Sequence, residues 1–154
     1  ATSEFEILAP VSGELVHLEK TNDPAFSSRA VGDGVAVVPQ EGTVCAPVSG
    51  TVAALFPTEH ALGIMSDDSS AQVMLHIGID TVKLEGKGFH ALVAQGDHVD
   101  AGQPLVEVDF DAVRAAGFDP TVFVIVCERS ENSTLREHAS GPVAVKEPVV
   151  WLSE

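Results

Sequence analysis

Two histidines, His60 and His76, lie sixteen positions apart in the stretch HALGIMSDDSSAQVMLHIGID, residues 60–80. A pair of adjacent imidazoles supports three kinds of chemistry. It can ligate zinc, act as an acid and base pair, or let one ring attack while the other stabilises the anion that forms. Whether the rings meet depends on the segments that carry them. In AQVMLHIGID, period-two alternation puts Val73, Leu75, Ile77 and Ile79 on one face and Met74, His76 and Gly78 on the other. His60 precedes the strand-like run ALGIM. An antiparallel hairpin turning around Asp67 to Ser70 would bring His60 opposite His76, to within about two residues of register. Read on pattern alone, His76 fits a satisfied buried histidine better than a functional one.

The rest of the chain supplies strands of the same kind. ELVHLE, GVAVVP, GTVCAP, GTVAALF, ALVAQ, PLVEVD, TVFVIVC, GPVAVKE and VVWLS are short apolar runs bounded by Gly, Pro, Asp and Ser. That spacing predicts an all-β sandwich or barrel. Thirteen glycines and nine prolines provide the turns. Two short helices are expected. One is DAVRAAGF, capped by Asp111 and ended by Gly117, and the other is around NSTLREH. An internal echo stands out: APVSGELVHL at 9–18 and APVSGTVAAL at 46–55. Proline cannot donate to a ladder and glycine tolerates positive φ, so each copy reads as a turn feeding a strand. Two copies imply two related halves within one domain.

Composition excludes several functions. The chain of 154 residues has 23 acidic residues against 8 Lys plus Arg, a net charge of −15. Nucleic acid and anionic membrane surfaces both demand clustered basic residues. An acidic field favours basic protein partners, and it also serves solubility or a salty cytoplasm. No apolar run is long enough to span a bilayer, and no secretory leader pattern is present. Starting at Ala1 fits a trimmed methionine or a domain cut from a longer chain. Cys45 and Cys127 form no metal or redox motif and are expected as reduced core residues. His17, His90, His98 and His138 have no motif context and are expected at the surface or at strand edges.

APVSG near the start, VGDG at 31–34, APVSGTV at 46–52, Thr58-Glu59-His60, HIGIDTVKLEGKGF at 76–89 and QGDHVDAGQPL at 95–105 follow one another in order. Together they resemble the glucose-type enzyme IIA domain of the bacterial phosphoenolpyruvate-dependent sugar phosphotransferase system. The resemblance runs from about residue 5 to 152. It implies one IIA domain over 1–154, either free or excised from a fused permease. The implied fold is all-β, an antiparallel sandwich or barrel-like domain with two related halves of the duplicated hybrid motif type and minimal helix.

The resemblance also implies roles. His76 is the phosphorylated nucleophile, receiving its phosphoryl group from the carrier HPr and passing it to a cysteine on the IIB domain of a sugar permease. His60 contacts the phosphoryl oxygens, and Thr58 orients His60 by a hydrogen bond. The backbone carbonyl of Gly78 holds the second nitrogen of His76, and Asp80 lies at the site edge. Phe26, Val31, Phe56 and Met74 form a partner-binding rim. Phe26 and Met74 are expected as surface contacts, and Phe56 and Val31 fit core and rim equally. Position 74 is Met where the family often has Phe. No diffusible cofactor is implied, although His60 and His76 could share zinc with a regulatory partner's carboxylate. The expected location is cytoplasmic, or tethered to the membrane through a fused permease, without direct insertion.

Other readings compete. Asp80 four after His76 gives HxxxD, which resembles part of the signature of lysostaphin-like zinc peptidases, but their HxH pair is missing. QGDHVDAGQPLVEV resembles the turns of biotinyl and lipoyl carriers, yet neither Lys83 nor Lys87 sits at a methionine-flanked hairpin tip. A purely regulatory binding protein using the same face differs from the relay only in its partners. The sugar itself is not legible.

Overall fold

The computed structural model describes residues 4–40 and 42–153. The strands are β1 (Glu4–Leu8), β2 (Gly13–His17), β3 (Asp33–Pro39), β4 (Thr43–Cys45), β5 (Gly50–Leu55), β6 (Ala61–Ser66) and β7 (Ala71–Ile77). They continue as β8 (Phe89–Ala91), β9 (His98–Val99), β10 (Pro104–Val108), β11 (Val122–Arg129), β12 (Thr134–Glu137), β13 (Gly141–Val143) and β14 (Pro148–Ser153). An eight-stranded sheet runs in the order β13-β2-β3-β11-β7-β6-β5-β9, and two three-stranded sheets run β1-β14-β12 and β4-β10-β8. Every pairing is antiparallel. Among the described residues, helix is confined to α1 (Pro24–Ser27), α2 (Phe110–Ala115) and two 3₁₀ turns, Leu18–Lys20 and Thr81–Leu84.

The large sheet is nearly symmetric about its central β11–β7 pair, and the hydrogen bonds show why. Ala9 N–H donates to the Glu147 carbonyl, as Ala46 N–H donates to the Gln103 carbonyl (both 2.8 Å). The Ser12 hydroxyl oxygen accepts from Val145 N–H, as that of Ser49 accepts from Ala101 N–H (both 2.8 Å). The two APVSG copies therefore close two equivalent turns, and they also pair with each other, Leu8 N–H to Pro47 O and Cys45 N–H to Pro10 O. The two related halves expected from the repeat are present.

The repeat's glycines have a different reason from the one their sequence suggests. Neither Gly13 nor Gly50 has positive φ. Instead the adjoining strand fills the space of a side chain: a Cβ would lie 1.9 Å from the Val38 carbonyl oxygen at Gly13 and 2.0 Å from that of Met65 at Gly50. A hydrogen-bonded ladder cannot yield that distance without breaking. Gly13→Ala and Gly50→Ala are each expected to cost about 2–4 kcal/mol by this backbone clash. Urea midpoints of the two variants should fall by similar amounts; one tolerated substitution would show that the halves are not equivalent.

The main core lies between the large sheet and the two small ones, built from the inward residues Leu15, Val35, Val37, Val73, Leu75, Ile77, Val122 and Val124 with Ile7, Val106 and Val150. The outer face of the large sheet carries a smaller cluster, Leu18, Phe26, Ala36, Phe123 and Ile125, which Met74, Ile79 and Cys127 flank. Residue 79 is thus on the opposite face from the one alternation assigns it. Strand β7 ends at Ile77, and Gly78 at φ +81° turns the chain over.

Three further expectations are corrected. NSTLREH is not a helix: Thr134–Glu137 is an edge strand, fixed by Arg136, which stacks over Trp151 at 4.1 Å and pairs with Glu4 at 3.0 Å. The cap of α2 is Asp109, whose carboxylate accepts from Ala112 N–H, rather than Asp111. The run ALVAQ contributes only Ala91 to a strand. The second helix end does fall at Gly117, at φ +91°. Cys45 is buried, Cys127 is half-buried, and no disulfide joins them.

Candidate functional site

The hairpin β6–β7 pairs Ala61 with His76, and Ile77 N–H donates to the His60 carbonyl (2.7 Å). The register is one residue from a direct histidine pair. The side chains meet nonetheless, because His60 lies just ahead of β6 and follows Glu59, a non-glycine at φ +63°. That reversal frees His60 from strand alternation. The two rings stand edge to face, with centroids 5.1 Å apart and planes at 85°.

Each ring is held at Nδ1. His76 Nδ1 lies 2.8 Å from the Gly78 carbonyl oxygen. A carbonyl can only accept, so this nitrogen carries the proton and Nε2 keeps a free lone pair. Thr58 Oγ1 lies 2.5 Å from His60 Nδ1. A hydroxyl can either donate or accept, so this bond fixes the ring without fixing its tautomer.

The carbonyl of Gly78 is itself positioned by a distant loop. Gly78 N–H donates to Thr121 O (2.8 Å) and Ile79 N–H to Asp119 O (2.9 Å). The Asp119 carboxylate closes that loop by accepting from the Thr121 amide (3.0 Å) and hydroxyl (2.6 Å). The Thr81 hydroxyl donates to Ile77 O (2.5 Å) and is fully buried. Sequence reading missed Thr81, Asp119 and Thr121. Their signal was there in part: Asp-Pro-Thr is the pattern of a side chain accepting from the backbone two residues on.

Burial sets the protonation of both rings. His60 is only 3% exposed, and burial first, then the neighbouring His76, pushes its pKa down to about 4. His76 is also held below the ordinary 6.5 by burial, which outweighs the Gly78 hydrogen bond and the charges of Asp23 and Asp80. Both are neutral at pH 7. A histidine whose folded pKa is depressed binds a proton more readily in the unfolded chain, so stability falls as pH falls. Acidification from pH 6.5 towards about 4 should therefore destabilise the domain, and His60→Gln should flatten that part of the curve. Thermal unfolding against pH checks this; an unchanged slope in the variant would count against it.

The four residues of the expected rim differ in exposure. Phe56 and Val31 are exposed, at 47% and 38%, and Phe56 meets His60 edge-on at 5.4 Å. Met74 is half-buried beside the outer cluster. Phe26 departs from expectation. At 5% exposure it is buried, stacked on Phe123 (4.3 Å) and packed 5.2 Å from the His76 ring. The one-turn helix α1 folds it down onto the sheet. Val82, 50% exposed in the 3₁₀ turn after Asp80, was not anticipated and follows directly on the site. Asp80 is exposed, at φ +60°. His90 and His98 lie exposed on edge strands, as expected. His17 and His138 are instead half-buried, and His17 Nε2 donates to the His138 carbonyl (3.0 Å).

Among the described residues, no third histidine, cysteine or carboxylate joins His60 and His76 in a cluster able to hold a metal ion. Two imidazoles fall short of a tetrahedral zinc set, so the described residues alone do not furnish the peptidase-like site.

The family model for the phosphoenolpyruvate-dependent sugar phosphotransferase system, EIIA 1, matches residues 5–132. The chain belongs to the glucose-type enzyme IIA family. This IIA domain is 42% identical over 144 residues to the glucose-specific EIICBA component of Streptococcus pneumoniae, covering 94% of the chain and 20% of that protein. It is also 42% identical to the β-glucoside-specific EIIBCA component of Bacillus subtilis, covering 96% of the chain and 24% of that protein. The chain thus spans about a fifth to a quarter of these relatives. The glucose permease IIA structure from Mycoplasma capricolum superposes with a TM-score of 0.88 at 34% identity, over 97% of this chain and 96% of that one. That superposition agrees with the all-antiparallel β fold with little helix described for this chain. The IIA domain is a phosphoryl carrier of the sugar phosphotransferase system. No helix among the described residues is long and apolar enough to cross a membrane.

Proposed function

We propose that His76 Nε2 is the atom that carries the phosphoryl group. The observation that supports this most directly is the Nδ1 contact with the Gly78 carbonyl, which leaves Nε2 as the basic nitrogen of a ring kept neutral at pH 7. The Nε2 lone pair attacks the phosphorus of a phosphohistidine on HPr. The donor's N–P bond breaks, and its electron pair stays on the donor imidazole. In the second transfer a cysteine thiolate of a sugar-specific IIB domain attacks the same phosphorus, and the Nε2–P bond breaks with its pair returning to His76. Throughout, the proton on Nδ1 stays against Gly78 O, so the phosphorylated ring shares its positive charge with a fixed dipole.

His60 supplies the second half of the site. With the Thr58 hydroxyl donating to Nδ1, His60 Nε2 carries a proton to offer the phosphoryl oxygens. Phosphoryl transfer depends on positioning and charge stabilisation more than on covalent help. A neutral donor is sufficient and avoids the permanent charge of Lys or Arg, which would make the phosphohistidine harder to discharge. Phe56, Val31, Met74 and Val82 offer apolar surface to the two partners, and Asp80 lies beside it. Zinc could join the two histidines only with further ligands from a bound partner. The chain acts as a IIA module of the kind its relatives carry fused to membrane permeases, working at the cytoplasmic face.

The test is intact mass after incubation with phosphoenolpyruvate, enzyme I and HPr. Native protein should gain one acid-labile phosphoryl group and His76→Ala none. Phosphorylation of the His76→Ala variant would move the acceptor elsewhere and overturn the assignment.

A further inference from the structure

The outer face of the sheet owes its cover to a segment with little stability of its own. Helix α1 is a single turn, and an isolated turn costs more chain entropy than its hydrogen bonds return. Its anchors are the Asp23 carboxylate, which accepts from Ala25 N–H (3.0 Å), and Phe26, its one buried side chain. Immediately beyond it stands Arg29, a non-glycine at φ +62°, whose N–H donates to Phe26 O (3.0 Å). A residue held in that backbone region needs its surroundings to hold it there.

Arg29 has such surroundings. Its guanidinium donates to Glu19 (3.0 Å), to Asp33 (3.1 Å) and to both oxygens of Glu137 (3.0 and 3.4 Å). These carboxylates come from three separate elements: the 3₁₀ turn Leu18–Lys20, the start of β3 and the end of β12. The site is partly screened, with Arg29 and Glu137 side chains 29% and 19% exposed. A planar fork with five donors suits three acceptors in a way that an ammonium does not. Without it, three carboxylates would face one another at the base of α1.

We propose that Arg29 is a positioning residue for His76, clamping the α1 segment so that Phe26 stays packed on Phe123 and closes one side of the phosphoryl-bearing ring. Phe26 excludes water from the ring it touches, and water is the competitor that discharges a phosphohistidine without passing it on. Arg29 touches neither histidine and acts only through the backbone it fixes. The part of this inference that concerns water rests on the relay reading above; the part that concerns packing does not.

The test uses Arg29→Met, with two readouts. The first is the NMR titration of the His76 imidazole, which needs no phosphorylation. Loss of the clamp should expose the ring and move its titration up towards the ordinary 6.5. The second is the lifetime of the phosphorylated protein at pH 7, which should shorten about three- to tenfold. Arg129→Met is the control. Arg129 also pairs with Asp33 (3.5 Å) but lies at the end of β11, not beside α1 in the chain, and its removal should leave both readouts unchanged. If Arg29→Met does not fold, Glu137→Gln removes the bidentate partner alone and should shift both readouts less, in the same direction. Arg29→Lys should restore only part of the effect. A folded Arg29→Met domain with a native His76 titration overturns the proposal. A shifted titration in a protein that HPr never phosphorylates would overturn the relay and leave the clamp standing.

Discussion

His60→Ala is expected to accept the phosphoryl group and then fail to pass it on. The nucleophile and its Nδ1 anchor are untouched by this change, because Gly78 O, not His60, holds the His76 tautomer. The donor histidine on HPr is a good leaving group, so the first transfer should slow by less than tenfold. In the second transfer an anionic thiolate approaches the phosphoryl oxygens, and in the variant those oxygens have lost the neutral N–H that His60 offers. Removing a single preorganised donor from such a site typically costs a factor of about 10² to 10³. Rapid-quench measurement of each half-reaction separates the two. Equal slowing of both would reduce His60 to a general support for the hairpin. Wild-type rates in both would remove it from the mechanism.

Gly78→Ala is expected to damage stability and chemistry together. At φ +81° any side chain is strained, worth about 1 kcal/mol. The added Cβ would also lie 2.4 Å from Thr81 Cγ2 and 3.1 Å from Asp119 O. Relief has to come from the backbone between His76 and Thr81, and that backbone includes the carbonyl that fixes the His76 tautomer. A total loss of about 2–4 kcal/mol follows from strain plus overpacking, with phosphorylation by HPr slowed by a factor of ten or more. The nearest clash is with a methyl group, so Thr81→Ser in the Gly78→Ala background should recover part of the stability while keeping the hydroxyl that donates to Ile77 O. Denaturant midpoints for the four proteins give the coupling. Additive losses would show that the clash is not with Thr81.

The hairpin with its two histidines was readable in the sequence because strand alternation and a polar Asp-Asp-Ser-Ser turn agree with each other. The exact register was not, and neither was the meeting of the two rings, which depends on Glu59 adopting a left-handed conformation that nothing in its type announces. Ile79 was assigned to the wrong face for a related reason, since alternation stops where Gly78 turns. The burial of Phe26 is not legible locally, because a four-residue helix has no periodicity to detect and its partner is Phe123, nearly a hundred positions away. Asp119 and Thr121 were missed on the same grounds of distance. Residues 134–137 looked helical because an edge strand with half-exposed residues lacks the β-branched run of a central one. Arg136 over Trp151 overrides that local preference. What the sequence conveyed well was local; what it concealed was tertiary.

The two halves close in very different ways along the chain. Strands β5, β6 and β7 are joined by short turns, so they can assemble from neighbouring residues. The pairing of β1 with β14 sets Glu4 against Ser153, and β3 with β11 sets Val37 against Val122. Such contacts require large loops to close before they return any energy. Folding should therefore be slow, on the order of milliseconds to seconds, with the β5–β7 meander as its earliest ordered part. His60 and His76 would come together first, and the sheet formed by β1, β12 and β14 would close last, over the opposite face of the large sheet.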